Sequence, residues 1–367
     1  MATVVKGATT PVYSGVSATI TSHTDEAFSR AFAELVFNQT AVLKALGVKA
    51  FNGKPHSVTK TTGKGIRFDD GFQFSGKLAV TAPSAQLLLK GGTLNAGTRD
   101  DWNGWAYDWK RLALSLSIPE VDVQDNQGKA KLASLLADEF RLGMMGMAND
   151  LNLLFLGNAS AVDTTIGLPR LVSVTQTGSI GALSRTNSYW KNWVKSVGSP
   201  GGGGAADKPV VLKRALEGAI VGTSGYASVE GPDLLISNEG AYLTLSRMSE
   251  SLEGYVDTKV KVQQFQDVGI PHMTVDGRPM IYDKAATLPW GGTASQDFIY
   301  GIDTSVTGLA FKRQEYMRTE PWVAPNARSL QRNYRSNIFC RATPYVRDRR
   351  ANFCLHNITA NPEATSD

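Results

Sequence analysis

The residues that most often carry catalysis or metal binding are few in this chain and far apart. There are 4 histidines in 367 residues, none with a carboxylate at the spacing of a metal site. Asp69-Asp70 and Asp100-Asp101 have side chains that bind hard cations, but such pairs are more often turn residues. The chain has no phosphate-binding glycine loop, dinucleotide fingerprint, zinc-protease helix or serine-hydrolase elbow. The sequence therefore predicts no catalytic site, metal site or cofactor, and we expect a protein that is not an enzyme.

Arginines near the C-terminus are the strongest candidates for a binding function. Residues 301–350 contain ten basic and four acidic side chains, a net charge of +6, whereas the whole chain has +5. Aromatic residues alternate with these arginines, and the two side-chain types together favour contact with phosphates and bases. The alternative is that the arginines pair with carboxylates inside the protein or between subunits. The candidates are Arg328, Arg332, Arg335, Arg347, Arg349 and Arg350.

Composition indicates the kind of fold that must position these residues. Hydrophobic residues make up 42 %, charged residues 19 %, and there are 36 glycines, which favours a folded protein with much strand and long loops. The length predicts two domains. No apolar run is long enough to span a bilayer, and the first twenty residues lack the apolar segment of a signal peptide. Cys340 and Cys354 are too few for a disulfide framework, so we expect a soluble protein made in a reducing cytosol.

Residues 52–100 predict a charged, glycine-rich β-hairpin that follows an extended arm over residues 1–24. The alternation of Ile66 and Phe68, and then of Phe72 and Phe74, is typical of strands. Because an isolated two-stranded ribbon is marginal in water, its aromatic residues need a surface to cover. If that surface is a second copy of the chain, the hairpin is an assembly device. The candidate interface residues are Lys64, Arg67, Asp69, Asp70, Phe72, Phe74, Lys77 and Lys90.

A strand and one long helix follow the hairpin. Apolar residues alternate with small or polar ones from Leu112 to Ile118, which predicts a strand with one apolar face. Apolar residues then recur at intervals of three and four from Leu132 to Phe155, which predicts one helix over 126–156. A helix of that length extends on the order of 35–45 Å, so it can serve as a spine for other elements.

The pattern after residue 159 is that of a compact α/β region, followed by more strands. The predicted elements are a helix over 210–221, a buried strand over 232–237, a helix over 238–251, a hairpin turn at Asp276-Gly277, and strands around 297–318 and 337–347.

The order of these elements resembles the major capsid proteins of tailed bacteriophages with the Hong Kong 97-like fold. Local sequence is also similar to the family's pattern. The segments concerned are Ala106-Tyr-Asp-Trp-Lys-Arg-Leu-Ala-Leu-Ser-Leu-Ser117, Asn149-Asp-Leu-Asn-Leu-Leu-Phe-Leu-Gly-Asn158, Gly167-Leu-Pro-Arg-Leu-Val172, Arg185-Thr-Asn-Ser-Tyr-Trp190 and Pro232-Asp-Leu-Leu-Ile-Ser237.

The resemblance implies an α+β fold in which one domain is inserted into another. The implied parts are an N-terminal arm (1–24), a peripheral domain (25–51 and 101–158, with the spine helix 126–156), an E-loop (52–100), an axial domain (159–300), and return strands of the peripheral domain with the C-terminus (301–367).

The resemblance also implies a function. Such a protein assembles as pentamers and hexamers into the icosahedral head of a tailed double-stranded DNA phage, and is found in the virion after assembly in the host cytoplasm. Its partners are copies of itself, a portal, a separate scaffolding or decoration protein, and packaged DNA held by non-specific contact, with no membrane. The arginines above would then be inner-face or intersubunit residues. Two alternatives stay open: an encapsulin-like shell around protein cargo, and a basic nucleic-acid-binding protein.

Two further expectations come from the family. Some members join E-loop lysines to asparagines of a neighbour, and the candidates here are Lys64, Lys77, Lys90, Asn333, Asn337 and Asn352. The spine helix bends as the shell expands, and Gly143 and Gly146 are candidate weak points within it.

Overall fold

The structure, a computed structural model, describes residues 41–46, 65–80, 102–125, 129–157, 166–197, 208–226, 231–251, 272–292, 296–323 and 333–358. The predicted arm over 1–24 and most of the predicted E-loop lie outside these residues. So do four of the candidate site residues: Lys64, Lys90, Arg328 and Arg332.

The described residues form both helices and strands, with three short 3-10 turns. The helices are α1 (Ala41–Ala45), α2 (Glu120–Asp125), α3 (Lys129–Leu156), α4 (Leu168–Leu171), α5 (Lys208–Thr223) and α6 (Glu239–Ser251). The strands are β1 (Ile66–Asp69), β2 (Phe74–Ala79), β3 (Trp102–Tyr107), β4 (Lys110–Pro119), β5 (Ser179–Ile180), β6 (Leu183–Ser184), β7 (Trp193–Ser196), β8 (Leu234–Ser237), β9 (His272–Val275), β10 (Arg278–Tyr282), β11 (Asp297–Ile302), β12 (Thr307–Lys312), β13 (Arg318–Thr319), β14 (Asn333–Val346) and β15 (Phe353–Ile358).

The long strand β14 organises a five-stranded sheet beneath the spine helix. The order is β1-β12-β14-β13, and β4 also pairs with β14. The predicted alternation of β4 is confirmed, because Leu116 and Ile118 are buried while Ser115 and Ser117 are exposed. α3, which confirms the predicted spine helix over its described length, packs on the apolar face of β4. A Cβ at Gly143 would lie 2.5 Å from a methyl of Leu116, so this glycine lets the helix approach the sheet closely.

A six-stranded sheet of order β7-β15-β11-β8-β10-β9 forms the second layer. On β8, Leu235 faces α5 and α6, whereas Leu234 and Ile236 belong to the main core that includes α3. The sheet is therefore buried on both faces, which explains why its central strands are continuously apolar. The predicted helices and strand of this region are confirmed. So is the hairpin turn, where Asp276 and Gly277 have φ of 50° and 74° as a type I′ turn requires.

The structure describes only residues 65–80 of the hairpin predicted over 52–100, and the two strands in that part do not pair with each other. β1 lies parallel to β12 with Ile66 opposite Leu309, while β2 pairs with β3 and places Phe74 opposite Tyr107. The residues between β1 and β2 therefore connect two different sheets. Alternation indicates that each segment is a strand, but it does not identify a partner some 240 residues away.

The last strand also joins a sheet that the sequence did not indicate. β15, placed by the resemblance among the peripheral return strands, pairs with β11 and β7 in the six-stranded sheet. The chain passes from one sheet to the other through the 3-10 turn Arg349–Ala351. None of the described helices is long and apolar enough to cross a membrane.

Candidate functional site: an exposed turn and two groups of arginines

The turn between β1 and β2 is fixed internally and presents Phe72 to solvent. The Asp69 carboxylate accepts hydrogen bonds from the backbone N–H of Asp70 (2.8 Å) and Gly71 (3.4 Å). The Trp109 indole N–H donates to the Gly71 carbonyl at 2.9 Å. The Phe72 side chain is nevertheless 93 % exposed. A large apolar ring is thus held in place without cover from the described part of its own chain.

Two side-chain contacts tie this turn to its surroundings. The Gln73 amide donates to the Asp108 carboxylate at 2.6 Å, and Arg313 lies 3.9 Å from the Asp70 carboxylate. Both are surface contacts of modest energy. They add to the Trp109 bond in defining the direction in which the turn points.

The ribbon of β2 and β3 packs one face against its own chain. The Phe74 ring is 5.3 Å from the Trp105 ring and 4.8 Å from that of Tyr345. A Cβ at Gly76 would overlap the Trp105 indole, so the indole lies directly on the glycine backbone. Phe74, predicted to be an interface residue, is therefore buried inside its own chain. Lys77, on the other face, is exposed.

Arg349 is fully buried and joins several separate segments of the chain. Its Nε donates to the Leu171 carbonyl (2.8 Å) and its Nη1 to the Trp190 carbonyl (2.9 Å). Its Nη2 reaches Ser173 Oγ (3.1 Å) and Asn192 Oδ1 (2.6 Å). The prediction that Arg349 contacts nucleic acid or a neighbouring subunit is wrong, because its donors are used within its own chain.

The charge of Arg349 is met by neutral oxygens. Burial lowers its pKa to about 9, with a smaller contribution from the positive charge of Arg185, so it stays protonated at neutral pH. Burial also lowers the pKa of Arg185, which donates weakly to Ser173 Oγ and the Thr175 carbonyl. Among the described residues no carboxylate is bonded to either guanidinium.

Arg350 pairs with a carboxylate, as the alternative interpretation of the arginines predicts. Its Nη2 and Nε lie 2.7 and 3.0 Å from the two oxygens of Asp348, and its guanidinium lies over the Tyr226 ring at 5.0 Å. Arg347, two residues before Arg349, is exposed. The predicted arginines therefore divide into internal and surface groups.

Arg335 belongs to a second group, the arginine face, which we define as Arg111, Arg318, Arg335 and Arg341. Arg341 lies opposite Arg111, Arg335 opposite Ser117, and Arg318 opposite Phe339. Directly opposite residues of antiparallel strands project from the same face. Sequence reasoning did not select Arg111 or Arg318, although the alternation of β4 already places Arg111 on its polar face.

Part of the arginine face is held by one carboxylate. The nearest oxygen of Glu315 is 2.9 Å from Arg341 Nε and 3.6 Å from Arg111 Nε. The Arg111 guanidinium also lies 4.2 Å from the centre of the Phe339 ring. Two positive charges therefore share one negative charge in fixed positions.

The fold is identified by comparison with solved structures, because comparison of the sequence with known proteins finds no match. No protein-family model and no curated protein matches the chain. The structure is similar to the capsid asymmetric unit of Cyanophage A-1(L), at 12 % identity over 81 % of this chain and 91 % of that chain, with a TM-score of 0.51. The chain has the Hong Kong 97-like capsid fold. This confirms the predicted α+β class.

Two other solved structures show the same relation at lower TM-scores. The capsid of Cyanophage P-SCSP1u is 12 % identical over 91 % of this chain and 99 % of that chain, with a TM-score of 0.46. The holo-SrpI encapsulin complex from Synechococcus elongatus PCC 7942 is 10 % identical over 81 % of this chain and 86 % of that chain, with a TM-score of 0.48. The fold assignment depends on the Cyanophage A-1(L) match.

The capsid fold buries one of the asparagines suggested for crosslinking. Asn352 is fully buried, and its Oδ1 accepts bonds from the Asp303 N–H and the Thr307 hydroxyl, both at 3.0 Å. It cannot meet a lysine of a neighbour, so that suggestion is wrong. Asn333 and Asn337 are partly exposed and donate to Ser117 and Glu320 respectively.

The described residues contain no group of three or more His, Cys, Asp or Glu side chains arranged to hold a metal ion. Cys340 and Cys354 are both buried and free, and burial raises the pKa of the Cys340 thiol to about 12. A thiol protonated at neutral pH is a poor nucleophile and metal ligand.

Proposed function

We propose that this chain is a capsid shell protein, and specifically the major capsid protein of a tailed double-stranded DNA phage. Many copies would form pentamers and hexamers that close into an icosahedral head. The observation that carries the proposal is Phe72, a nearly fully exposed ring on an internally fixed turn of a capsid fold.

The physical argument for assembly begins with that ring. Covering a fully exposed phenylalanine contributes about 1.5–3 kcal/mol. Because Asp69 and Trp109 already fix the turn, little conformational entropy is lost when a partner binds it. A projecting ring that enters a different patch on the next copy makes a heterologous contact, and such contacts close into rings when the rotation permits.

The spine helix also exposes apolar side chains. Leu142 and Leu153 are 66 % and 53 % exposed, and their separation of eleven residues, about three turns, puts them on the same side of α3. A folded chain that leaves rings and leucines uncovered on separate surfaces is typical of a subunit whose burial is completed by other copies.

The proposed partners and location follow from the assembly of a phage shell. The partners are further copies of the chain, a portal, a separate scaffolding or decoration protein, and packaged DNA. The protein would be found in the virion after assembly in the host cytoplasm.

Electron microscopy and light scattering of the purified full chain test the proposal. We expect closed shells of uniform diameter. A discrete monomer or dimer that binds DNA with steep salt dependence would favour the basic nucleic-acid-binding protein instead. Shells isolated with one enclosed protein species and no nucleic acid would favour an encapsulin-like compartment.

Phe72→Ser, with Phe72→Tyr as its matched control, tests the turn itself. The serine variant should raise the protein concentration needed for assembly at least tenfold, whereas the tyrosine variant keeps the ring and should assemble near the wild-type concentration. Thermal unfolding of the unassembled protein should not change, because the ring lies outside the core. Wild-type assembly by Phe72→Ser would contradict this role.

A further inference from the structure

We infer that the arginine face on the sheet of β4, β13 and β14 is the surface that contacts the phosphate backbone of packaged DNA. This inference rests on the proposed function and adds to it which side of the peripheral sheet is turned toward the interior of the shell.

The register of the strands separates the two faces of this sheet. Leu114 and Leu116 of β4 lie opposite Ile338 and Ser336 on the face that packs against α3. The arginine face is the other one, and its residues on β4 are all exposed. Because the spine helix covers one side only, Arg111, Arg318 and Arg335 on the other side are exposed, and Arg341 is partly exposed.

The charge on this face is not balanced. Four arginines share it with Glu315 and Glu320, a net charge of +2. Glu315 is shared by Arg111 and Arg341, and Glu320 accepts a bond from Asn337. The side chains of Arg318 and Arg335 make no hydrogen bond or ion pair with another described residue. Within the described part of the chain, nothing occupies the donors of these two guanidinium groups, which suits them to bind an external anion.

The other side chains of this face are suited to a phosphate backbone. Ser117 and Asn333, next to Arg335, supply a hydroxyl and an amide, which are common phosphate-contacting groups beside arginine. Ala113 and Ser115 are short, so a bulky polymer can approach the sheet between the arginines. A flat, open face of this kind suits an extended polyanion, since small molecules are bound in concave sites.

The dimensions also favour a polymer. Arg335 and Arg341 are six residues apart on β14, about 20 Å along a strand. Double-stranded DNA carries one charge per about 1.7 Å of axis, so several of its phosphates pass over the arginine face at once. The outer face of α3 offers no equivalent, because it exposes Leu142 and Leu153 together with Asp138, Arg141 and Asp150, charges of both signs.

The test compares two double variants of the full chain that remove the same charge from different surfaces. Arg318→Gln with Arg335→Gln removes two exposed arginines of the arginine face, and Arg141→Gln with Arg214→Gln removes two exposed arginines on α3 and α5. The probe is a 30-base-pair DNA duplex, and its binding to the unassembled protein is followed by fluorescence anisotropy over a range of salt concentrations, because a closed shell would keep the duplex away from its interior. Assembly of every variant is examined by electron microscopy in parallel.

We expect the first double variant to lower the slope of log affinity against log salt by about 2, close to 0.9 for each phosphate that the protein no longer neutralises. The second should leave the slope unchanged. Equal slopes in both double variants, or no DNA binding by the wild type, would overturn the inference.

A poly-glutamate peptide distinguishes an acidic protein partner from DNA. If the arginine face controls peptide binding and has no effect on DNA binding, the surface docks protein and the inference is wrong. Loss of DNA binding by the first variant with normal shells supports both proposals. If the double variants change the salt slope as expected but the wild-type protein forms no shells, the result supports polyanion binding and contradicts the capsid function.

Discussion

Arg349 and Arg335 lie fourteen residues apart in one basic stretch, but their guanidinium groups have opposite surroundings. Arg349 is buried and makes four hydrogen bonds to oxygens of its own chain. Arg335 is exposed and has no side-chain partner within the described part of the chain. The difference arises from residues far away in sequence, because Leu171, Trp190 and Asn192 supply most of the acceptors for Arg349. The number of arginines in a stretch of sequence therefore does not show which of them are buried and which are exposed.

The two groups contribute to different properties of the molecule. A buried guanidinium is tolerated only when its donors are satisfied, and Arg349 meets that condition by fastening residues 171–192 to the turn between β14 and β15. This turn is where the chain passes from one sheet to the other. We therefore expect the Arg349 group to determine stability and the arginine face to determine binding.

The largest expected effect is on the buried side of this comparison. Arg349→Met should lower the free energy of unfolding by about 3–5 kcal/mol, because the carbonyls of Leu171 and Trp190 and the Oδ1 of Asn192 each lose a buried, charged donor. Arg347→Met, two residues away and exposed, should change it by less than about 0.5 kcal/mol. Urea unfolding of the unassembled protein measures both. Similar values for the two variants would show that the buried contacts do not stabilise the fold.

Packing beneath the sheet gives the next effect. Gly143→Ala should destabilise by about 1–3 kcal/mol, since its Cβ would overlap the methyl groups of Leu114 and Leu116. Gly146→Ala should be neutral or stabilising by up to about 1 kcal/mol, because the nearest atom to its Cβ would be 3.9 Å away. Thermal unfolding of the unassembled protein compares them. Equal stability of the two variants would show that α3 is not in close contact with β4 at Gly143.

The two variants also distinguish two reasons for a glycine in the spine helix, close packing against the sheet and bending of the helix. The sequence predicted that Gly143 and Gly146 are both weak points where the helix bends. Gly143 has a packing reason to be glycine, whereas Gly146 has none among the described residues and remains the candidate for bending. Alanine at Gly146 alone is therefore the cleaner probe of shell expansion.

The sequence predicted elements better than it predicted neighbours. The periods of α3, β4 and α6 and the Asp276-Gly277 turn could be recognised because each depends on residues close together in the chain. The partner of β1 and the sheet that β15 joins could not, since pairing is decided by contacts across more than a hundred residues.

The site shows the same limit. Phe72 was selected correctly as an exposed residue, but Phe74, two positions later, is buried because Trp105 and Tyr345 cover it. Alternation places both rings on the same face of an ideal strand. The turn at Gly71 breaks that relation, and its conformation depends on the distant Trp109.

The smallest effect on stability is expected at the arginine face, where a binding measurement is more sensitive. Glu315→Gln removes the carboxylate that Arg111 and Arg341 share, and should cost about 1 kcal/mol, because the ion pair is partly buried but the glutamine side chain keeps an oxygen near both arginines. The same change frees those guanidinium groups, so DNA affinity should rise at low salt and the salt slope should steepen by up to about 1. Glu217→Gln on α5, which removes an equal charge paired with Lys213, is the matched control and should leave the slope unchanged.

If Glu315→Gln weakens DNA binding, the carboxylate must be positioning the two arginines for phosphate and not competing with it. Arg111 and Arg341 would then depend on an internal ion pair for their binding function, so the distinction between arginines that stabilise the fold and arginines that bind DNA would not apply to them.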